Sequence, residues 1–296
     1  MRILITGARG NFPTGLIRRL EAASHELVLF DIEPLPSEEH SAIQADIRDG
    51  GAVSMAVRGC DAVVHAAALH GDISTRRNYD DHYGINVTGT HNILLAMVRQ
   101  GVENLVFSSS DAVFGAGMKG HRVMDENVPC VPNSIESLTK SLGEEMCAFY
   151  AREHKIRVAM LRYGHFYSTD WKTAGVGRLT NWLDREDVAQ VNELALGAVS
   201  AEEFKCEAFL IHCHKPFADS DWPALAENPE PIIESYWPGS VELLARHNLR
   251  IPKIHTHYDI AKAQSVLGYE PEHNFDQFLK RLKKAPAEGQ VFGVRH

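Results

Sequence analysis

The chain has 296 residues, of which 44% are hydrophobic and 23% charged, and its formal net charge is −9. This composition is that of an ordinary globular protein with one large or two modest domains and a substantial hydrophobic core. The acidic surplus argues against nucleic acid or an anionic membrane as the main partner. No apolar run approaches the ~18 residues that span a membrane, and no secretion signal follows Met1, so the sequence predicts a cytoplasmic protein.

Short apolar runs alternate with longer helical patterns in the first half of the chain. Predicted strands are Arg2–Thr6, Glu26–Asp31, Ser41–Ala45, Ala62–Ala67, Asn104–Ser109 and Val158–Tyr163. Predicted helices are Thr14–Ala23, Gly51–Val57, Tyr83–Gln100 and Glu136–His154. Because the strands are apolar without polar alternation, we expect a parallel sheet that is covered by helices on both faces.

The pattern changes after residue 165. A polar stretch over Ser168–Gly177 precedes a predicted helix at Arg185–Ala198 and a strand at Glu207–Cys213. Four prolines then make Lys215–Glu234 a predicted loop-rich region. Three short helices are predicted to follow, at Gly239–Arg246, Asp259–Leu267 and Phe275–Lys284.

These elements predict an α/β fold, a doubly wound parallel sheet of the Rossmann type with a small C-terminal substrate-binding cap. Residues 1–165 and 181–213 are expected to form the Rossmann domain. Residues 166–180 and 214–296 are expected to form the small substrate-binding region.

Cysteine usage indicates reduced thiols. The cysteines are odd in number, widely spaced and without a CxxC pair, at positions 60, 130, 147, 206 and 213. This pattern is typical of neither a disulfide framework nor a thiolate zinc site. We expect buried, reduced thiols.

A glycine-bearing turn directly follows the first strand. Gly7 and Gly10 permit a tight turn and a close approach of the backbone, so that the N-terminus of the next helix can bind a pyrophosphate. Asp31 ends the second strand, where a carboxylate accepts hydrogen bonds from both ribose hydroxyls of adenosine and repels a 2′-phosphate. The pattern favours NAD over NADP, although Arg9 in the turn can soften that preference.

Further motifs follow in chain order. His65-Ala66-Ala67-Ala68 comes after the fourth strand, Asn86-Val87-Thr88-Gly89-Thr90 lies in a predicted helix, and the segment from Phe107 to Gly115 ends the fifth strand. Together with the glycine turn, these motifs resemble the extended short-chain dehydrogenase/reductase family, which includes nucleotide-sugar epimerases, dehydratases and uronate dehydrogenases. Pro13 stands where the family has a third glycine, and proline is tolerated in the first turn of a helix.

The resemblance implies a bound NAD and the residues that hold it. Asp46 and Ile47, after the third strand, are expected to meet the adenine ring. The aligned catalytic serine is Ser110. The implied cofactor-binding residues are Gly7, Arg9, Gly10, Asn11, Phe12, Asp31, Ile32, Asp46, Ile47, Ala66, Ala67, Ala68, Asn86, Ser108, Lys140 and Tyr163.

The catalytic helix departs from the family pattern. Family members carry Tyr and Lys at i and i+4, where the lysine grips the nicotinamide ribose and lowers the pKa of the tyrosine. Lys140 occupies the lysine position and Glu136 the tyrosine position. Beside an ammonium group the pKa of a carboxyl falls, which makes it a poor proton donor, whereas a nearby carboxylate such as Asp111 would raise one pKa of the pair. Glu136 either forms an ion pair that holds Lys140 or serves as an altered base, assisted by Ser110 or Asp111.

A second segment narrows the resemblance. Leu161 to His165 and the run from Gly177 to Asp187 are similar to the RIGS and RRMLxTWLSxxD motifs of uronate dehydrogenases. The arginine of that segment receives the substrate carboxylate in those enzymes, so Arg178 is the matching candidate. His165 replaces the serine of RIGS, and Asp111-Ala112 replaces an asparagine-histidine pair.

Other histidines invite a ligand hypothesis. His70, Asp72 and Arg76, in the loop after the fourth strand, are either substrate contacts or part of a solvated loop. Two pairs of histidines, at 212 and 214 and at 255 and 257, have a spacing that some zinc sites use. No carboxylate pattern completes such a site, so no metal is predicted.

These observations leave three functional hypotheses. The first is an NAD-dependent oxidoreductase or epimerase acting on a sugar, uronic acid or nucleotide sugar, in which Ser110 holds the reacting oxygen, Lys140 orients the ribose and Glu136 or Asp111 moves the proton. The alternative is an NAD-binding protein that has lost catalysis, and the third is elimination or hydration with a carboxylate base. The resemblance also implies a homodimer packed through two helices whose apolar side chains fit equally well against the sheet: Ile93, Leu94, Met97, Met146 and Phe149.

Overall fold

The computed structural model describes residues 1–35, 40–71, 79–118, 123–166 and 170–286. A seven-stranded parallel sheet has the order β3-β2-β1-β4-β5-β7-β8, and β6 pairs with β9 in a separate two-stranded sheet. The strands are β1 Arg2–Thr6, β2 Glu26–Asp31, β3 Ser41–Gln44, β4 Ala62–His65, β5 Asn104–Ser110, β6 Val123–Met124, β7 Arg157–Tyr163, β8 Cys206–Ile211 and β9 His257–Tyr258. This order confirms the predicted doubly wound fold, in which ligands bind at the carboxyl edge of the sheet where the strand order reverses.

Twelve α-helices lie within the described ranges. They are α1 Pro13–Ala22, α2 Gly50–Val57, α3 Tyr79–His82, α4 Gly89–Gln100, α5 Ile135–Glu153, α6 Trp171–Gly177, α7 Arg185–Ser200, α8 Trp222–Glu227, α9 Glu230–Tyr236, α10 Ser240–Arg246, α11 Ala261–Leu267 and α12 Phe275–Leu282. A π-helical segment, Tyr83–Thr88, joins α3 to α4. The predicted helix at 83–100 is therefore longer at its start and contains a π turn, a feature that is frequent at functional sites.

Two regions in which no helix was predicted contain helices. Within the polar stretch, α6 begins after Asp170, whose side chain accepts hydrogen bonds from the N–H groups of Lys172 and Thr173. Within the proline-rich region, α8 and α9 carry Pro223 and Pro231 in their first turns. The prediction of loops was wrong there because proline interrupts a helix interior but is compatible with a first turn, which has no intrahelical partner for its N–H groups.

The sheet separates two apolar layers. Alternate residues of β1 point to opposite sides, so that Ile3 and Ile5 pack with α1, α7 and α11, while Leu4 packs with α2, α4 and α5. A third cluster, which includes Val176, Phe217 and Phe278, joins α6 and α12 to the helices that follow β8. The segment after β8 thus has apolar packing of its own.

Other features of the described chain bear on the sequence predictions. All five cysteines are free thiols; those at 60, 147 and 213 are buried and the other two are half-buried. Among the described helices none is both long and apolar enough to cross a membrane.

Candidate functional site

Two adjoining cavities lie at the carboxyl ends of the strands. The larger has a volume of about 460 Å³ and lies over β1, β2 and β4, and the smaller, about 270 Å³, lies over β5 and β7. They share four lining residues, Phe12, Ala66, His70 and Phe166, and form one cleft. The larger cavity collects most of the predicted cofactor residues: Gly7, Arg9, Gly10, Asn11, Phe12, Asp31, Ile32, Asp46, Ile47, Ala66, Ala67 and Ala68.

The turn after β1 is built for close contact with a ligand. Gly7 has a φ of +67°, and a Cβ atom there would lie 2.8 Å from the backbone of Ala67. The N–H of Gly10 donates to the carbonyl of Gly7 at 2.8 Å, which closes the turn. Among the described residues, no side chain caps the start of α1, whose N-cap is Phe12. The turn therefore offers backbone N–H groups at a helix N-terminus, an arrangement that fits a pyrophosphate.

Asp31 is fixed at one end of the larger cavity. Its carboxylate accepts hydrogen bonds from the N–H groups of Arg9 and Glu33, each at 2.9 Å. The guanidinium of Arg9 donates to the carbonyl of Pro34 at 3.0 Å. A preoriented carboxylate in this position fits the ribose hydroxyls of an adenosine.

Asp46, which also lines the larger cavity, is paired with Arg48. The guanidinium of Arg48 donates to the carboxylate at 2.6 Å, and this hydrogen bond lowers the pKa of Asp46. Asp46 is therefore ionised and held in the wall of the larger cavity, next to the buried side chain of Ile47.

A buried network fixes the loop after β4. Thr6 Oγ1 accepts a hydrogen bond from the N–H of Ala67 at 3.1 Å and donates to His65 Nδ1 at 2.8 Å. Thr90 Oγ1 donates to the Asn86 carbonyl at 2.6 Å, so it accepts from His65 Nε2 at 3.1 Å. Burial lowers the pKa of His65 to about 3, and the ring stays neutral. The sequence motifs contain His65 and Thr90, but nothing in them indicated that His65 bonds to Thr90 and Thr6.

Asn86 lies behind the cleft and lines neither cavity. Its side chain accepts from the N–H of Leu69 at 2.7 Å and donates to the Leu69 carbonyl at 3.0 Å and to Thr139 Oγ1 at 2.9 Å. With these three bonds, Asn86 braces the loop after β4 against α5. Direct contact between Asn86 and a dinucleotide, expected from the resemblance, stays a prediction.

Ser110 lines the smaller cavity and Asp111 does not. Ser110 Oγ accepts from the N–H of Ala112 at 3.1 Å, and among the described residues the hydroxyl donates to none, so its proton can serve a ligand oxygen. Asp111 is buried beside the cavity, with its Oδ2 3.4 Å from Asn181 Nδ2 and 3.6 Å from His212 Nε2. Burial raises the pKa of Asp111 to about 7, against the opposing effect of the Asn181 hydrogen bond.

Among the described residues that line the smaller cavity, Glu136 is the one that carries a carboxylate. Its Oε2 accepts from the N–H of Gly71 at 2.7 Å, and its Oε1 lies 3.4 Å from His70 Nδ1. Burial raises the pKa of Glu136, but the hydrogen bonds from His70 and Gly71 and the charge of Lys140 outweigh it, and the net pKa is below the ordinary value. Glu136 is therefore ionised at neutral pH. Its assignment to the tyrosine position of the family stays a prediction.

Lys140 is buried and lies behind both cavities. Its Nζ donates to the carbonyl of Ser108 at 2.7 Å, and within the described chain it forms no ion pair with Glu136. The ion pair that sequence reasoning offered as one alternative is therefore not formed. Burial lowers the pKa of Lys140 to about 8, although the charges of Glu136 and Glu144 oppose this shift.

Aromatic rings and histidine complete the smaller cavity. Tyr163, His165, Phe166 and Ser108 all line it. The hydroxyl of Tyr163 accepts from Asn192 Nδ2 at 2.8 Å, and its ring lies 5.7 Å from that of Phe166. Phe166 had no signal in the sequence beyond its position next to His165.

Arg178 lines neither cavity. Its guanidinium donates to the carboxylate of Asp184 at 2.5 Å and to the carbonyl of Asn274 at 3.5 Å. The structure thus does not bring Arg178 together with Ser110 and Glu136. Its predicted role as the receiver of a substrate carboxylate stays a prediction.

Two further sets of residues were considered in the sequence, the loop residues near His70 and the possible metal ligands. Asp72 and Arg76, predicted alongside His70, lie outside the described residues. Within the described ranges, no group of three or more His, Cys, Asp or Glu side chains is arranged to hold a metal ion.

The model of the NAD-dependent epimerase/dehydratase family matches residues 3–185 of this chain. The chain therefore belongs to that family, and it is an enzyme of a class that uses NAD. The residues in the larger cavity fit this cofactor, because they combine an open glycine turn, an uncapped helix N-terminus and an anchored carboxylate.

Individual relatives agree with this family. A uronate dehydrogenase of Pseudomonas putida is 30% identical over 200 residues, which are 66% of this chain and 71% of the relative. A uronate dehydrogenase of Pseudomonas syringae pv. tomato is 33% identical over 198 residues, 66% of this chain and 69% of the relative.

Solved structures share the fold at low sequence identity. A short-chain dehydrogenase/reductase superfamily protein from Agrobacterium tumefaciens with bound NAD has a TM-score of 0.74 at 21% identity, covering 95% of this chain and 96% of its own. Glucuronic acid dehydrogenase from Chromohalobacter salexigens has a TM-score of 0.69 at 21% identity, and the match covers 97% of this chain and 90% of the dehydrogenase. These likenesses confirm the Rossmann-type architecture across nearly the whole chain.

Proposed function

We propose that this enzyme is an NAD-dependent oxidoreductase that acts on a hydroxyl group of a sugar or uronic acid. The observation that carries the proposal is the junction of the two cavities, because a dinucleotide lying along the larger one directs its far end toward Ser110 and Glu136. The uronate dehydrogenases among the relatives support the substrate class.

The larger cavity holds the dinucleotide in this proposal. The turn between Gly7 and Phe12 binds the pyrophosphate through backbone N–H groups, and Asp31 binds the adenosine ribose. Lys140 holds the carbonyl of Ser108 and so fixes the end of β5 beneath the reacting groups. When bound, NAD supplies the hydride acceptor for oxidation of the substrate carbon.

The smaller cavity holds the substrate. The hydroxyl of Ser110 donates a hydrogen bond to the reacting oxygen, because Ser110 Oγ already accepts one from the N–H of Ala112. A side chain next to Glu136 takes up the proton that the substrate hydroxyl loses. The ionised carboxylate of Glu136 stabilises the positive charge that this transfer creates. Phe166 and Tyr163 cover one side of the cavity and limit the access of water.

A substrate panel tests the proposal. Purified protein is incubated with NAD and neutral aldoses, uronic acids or nucleotide sugars, and NADH formation and sugar products are measured. The proposal expects NADH with at least one aldose or uronic acid. Conversion of a nucleotide sugar without net NADH would assign an epimerase instead, and saturable NAD binding without any turnover would assign a protein that has lost catalysis.

We also propose a homodimer that uses the helical run 79–100 and α5. Ile93, Leu94 and Met97 are fully buried against the sheet and cannot form an interface. Four other side chains of these helices are exposed and apolar or aromatic: Tyr79, Tyr83, Leu138 and Phe149. Such a face favours association. Sedimentation equilibrium is expected to give the mass of two chains, and a monomer at micromolar concentration would contradict the homodimer.

A further inference from the structure

The contact between Glu136 and the loop after β4 lies where the two cavities meet. The carboxylate accepts from the N–H of Gly71 at 2.7 Å and lies 3.4 Å from His70 Nδ1. His70 lines both cavities, whereas Glu136 lines only the smaller one. The imidazole is thus next to the place where substrate and dinucleotide come together.

The position of His70 is set by its neighbours. Asn86 holds the N–H and the carbonyl of Leu69, and Glu136 holds the N–H of Gly71. The residues before and after His70 are therefore anchored to two different helical segments. A group that is anchored in this way is preoriented for a reaction.

The hydrogen bond to Glu136 selects one tautomer of His70. An ionised carboxylate has no proton and only accepts hydrogen bonds. Nδ1 of His70 therefore carries the proton, and Nε2 carries the lone pair. A contact of 3.4 Å is long, but catalytic hydrogen bonds are often long without substrate and shorten when the substrate binds.

We propose that His70 is the general base of this enzyme and that Glu136 positions it, a proposal that rests on the proposed oxidation of a sugar hydroxyl. In this step the O–H and C–H bonds of the reacting carbinol break and a C=O bond forms. The hydroxyl proton passes to Nε2 of His70. The hydride, with its electron pair, reduces the dinucleotide, which is the oxidant of the proposed function.

The charges around His70 agree with a base that is neutral at pH 7. Partial desolvation in the cleft lowers the pKa of His70, and the electrostatic effects of Lys140 and His82 lower it further. Glu136 is the group that raises it, through the hydrogen bond and its charge. The imidazole is consequently unprotonated above its ordinary pKa, 6.5. Removing the Glu136 charge would lower the pKa of His70 again.

The first experiment replaces His70 by Gln and measures kcat and KM with the best substrate of the panel. Loss of a general base is expected to lower kcat about 100- to 10,000-fold, with little change in NAD affinity. His255→Gln makes the same chemical change at an exposed histidine outside both cavities and is expected to leave kcat unchanged. Melting temperatures of both variants report folding, and added imidazole is expected to restore part of the activity of His70→Ala.

The second experiment compares pH profiles of kcat/KM for the wild type and Glu136→Gln. The wild type is expected to lose activity in acid with an inflection below pH 6.5. Glu136→Gln is expected to lower kcat about 10- to 100-fold, the kinetic equivalent of one charged hydrogen bond, and to move the inflection to lower pH. If Glu136 itself were the base, its replacement would abolish the inflection. Glu145→Gln, at an exposed position of the same helix, is the matched control.

A third readout does not depend on turnover. In ¹⁵N-histidine NMR of the protein, the resonances that His70→Gln removes are expected to show the Nδ1–H tautomer and a pKa below 6.5. In Glu136→Gln this pKa is expected to be lower still. The opposite tautomer would overturn the proposal.

The outcomes separate the two proposals. If the wild type oxidises a sugar while His70→Gln keeps its kcat, only the role of His70 is overturned. If the wild type binds NAD but turns over nothing on the panel, the proposed function fails, and the catalytic role of His70 fails with it.

Discussion

The ammonium group of Lys140 donates a hydrogen bond to the carbonyl oxygen of Ser108 at 2.7 Å and not to the carboxylate of Glu136, which lies one helical turn earlier on α5. The lysine thereby tethers the second turn of α5 to the carboxyl end of β5, where Ser110 is the N-cap of the following short helix. Glu136 is left to bind the loop that carries His70. Lys140 and Glu136 thus hold two different parts of the protein next to the cleft, the end of β5 and the loop after β4.

The stability of the protein should depend on pH through Lys140. Burial lowers the pKa of Lys140 from 10.5 to about 8, so between these values the unfolded chain holds a proton that the folded chain has released. The free energy of unfolding therefore rises with pH in this range. Lys140→Met removes this contribution, and the wild type is expected to gain up to about 3 kcal/mol relative to the variant between pH 8 and pH 10.5. Urea unfolding at several pH values checks this, and parallel pH curves would contradict it.

Two identical substitutions should have opposite effects. Gly7→Ala places a methyl group 2.8 Å from the backbone of Ala67 at a positive φ, so it should destabilise the protein and weaken NAD binding. Gly197→Ala lies in α7 with nothing within 4 Å of the added methyl. It should stabilise the protein by about 1 kcal/mol, because glycine is a poor helix former. Urea midpoints and NAD titrations measure both, and equal shifts would show that the turn is not constrained.

Cofactor preference should depend on Asp31. Replacing it by Asn removes the charge that is proposed to face the ribose hydroxyls and weakens the bonds from the N–H groups of Arg9 and Glu33. NAD is expected to bind about 10- to 100-fold more weakly, the equivalent of one hydrogen bond to a charged group, while NADP is less affected because a repulsion is removed. Calorimetric titration with both dinucleotides checks this. Asp80→Asn, at an exposed position of α3, is the control, and an unchanged NAD/NADP ratio in Asp31→Asn would count against the assignment.

Arg178 provides a test of substrate recognition. Its guanidinium joins Asp184, the N-cap of α7, to the carbonyl of Asn274, the N-cap of α12. Arg178→Gln is therefore expected to lower the melting temperature while leaving the ratio of kcat/KM for uronic and neutral sugars unchanged. A selective loss of uronate turnover would instead support the role that the sequence resemblance assigns to Arg178.

The sequence predicted the sheet more reliably than the regions after it. Strands such as Glu26–Asp31 are buried on both faces, so their apolar runs are uninterrupted and easily recognised. Helices α8 and α9 are short and begin with proline, and their apolar residues are buried against other short elements, a tertiary effect that local pattern does not carry.

The sequence predicted those parts of the site that depend on local pattern and missed those that depend on tertiary contacts. Gly7 and Asp31 act next to the strands that carry them, so their spacing along the chain reveals their role. The contact between Glu136 and Gly71 joins residues 65 apart and uses a backbone N–H, which has no signature in the sequence. Motif alignment instead directed attention to Lys140, the i+4 neighbour of Glu136.

Transfer of deuterium from a sugar to the dinucleotide is the most direct test of the proposed oxidation. The substrate found in the panel is prepared with deuterium on the carbon that is oxidised, and the NADH formed by the enzyme is analysed by mass spectrometry. The NADH is expected to carry the label and to form more slowly than with unlabelled sugar. NADH without deuterium, or saturable NAD binding with no reduction by any sugar, would contradict it.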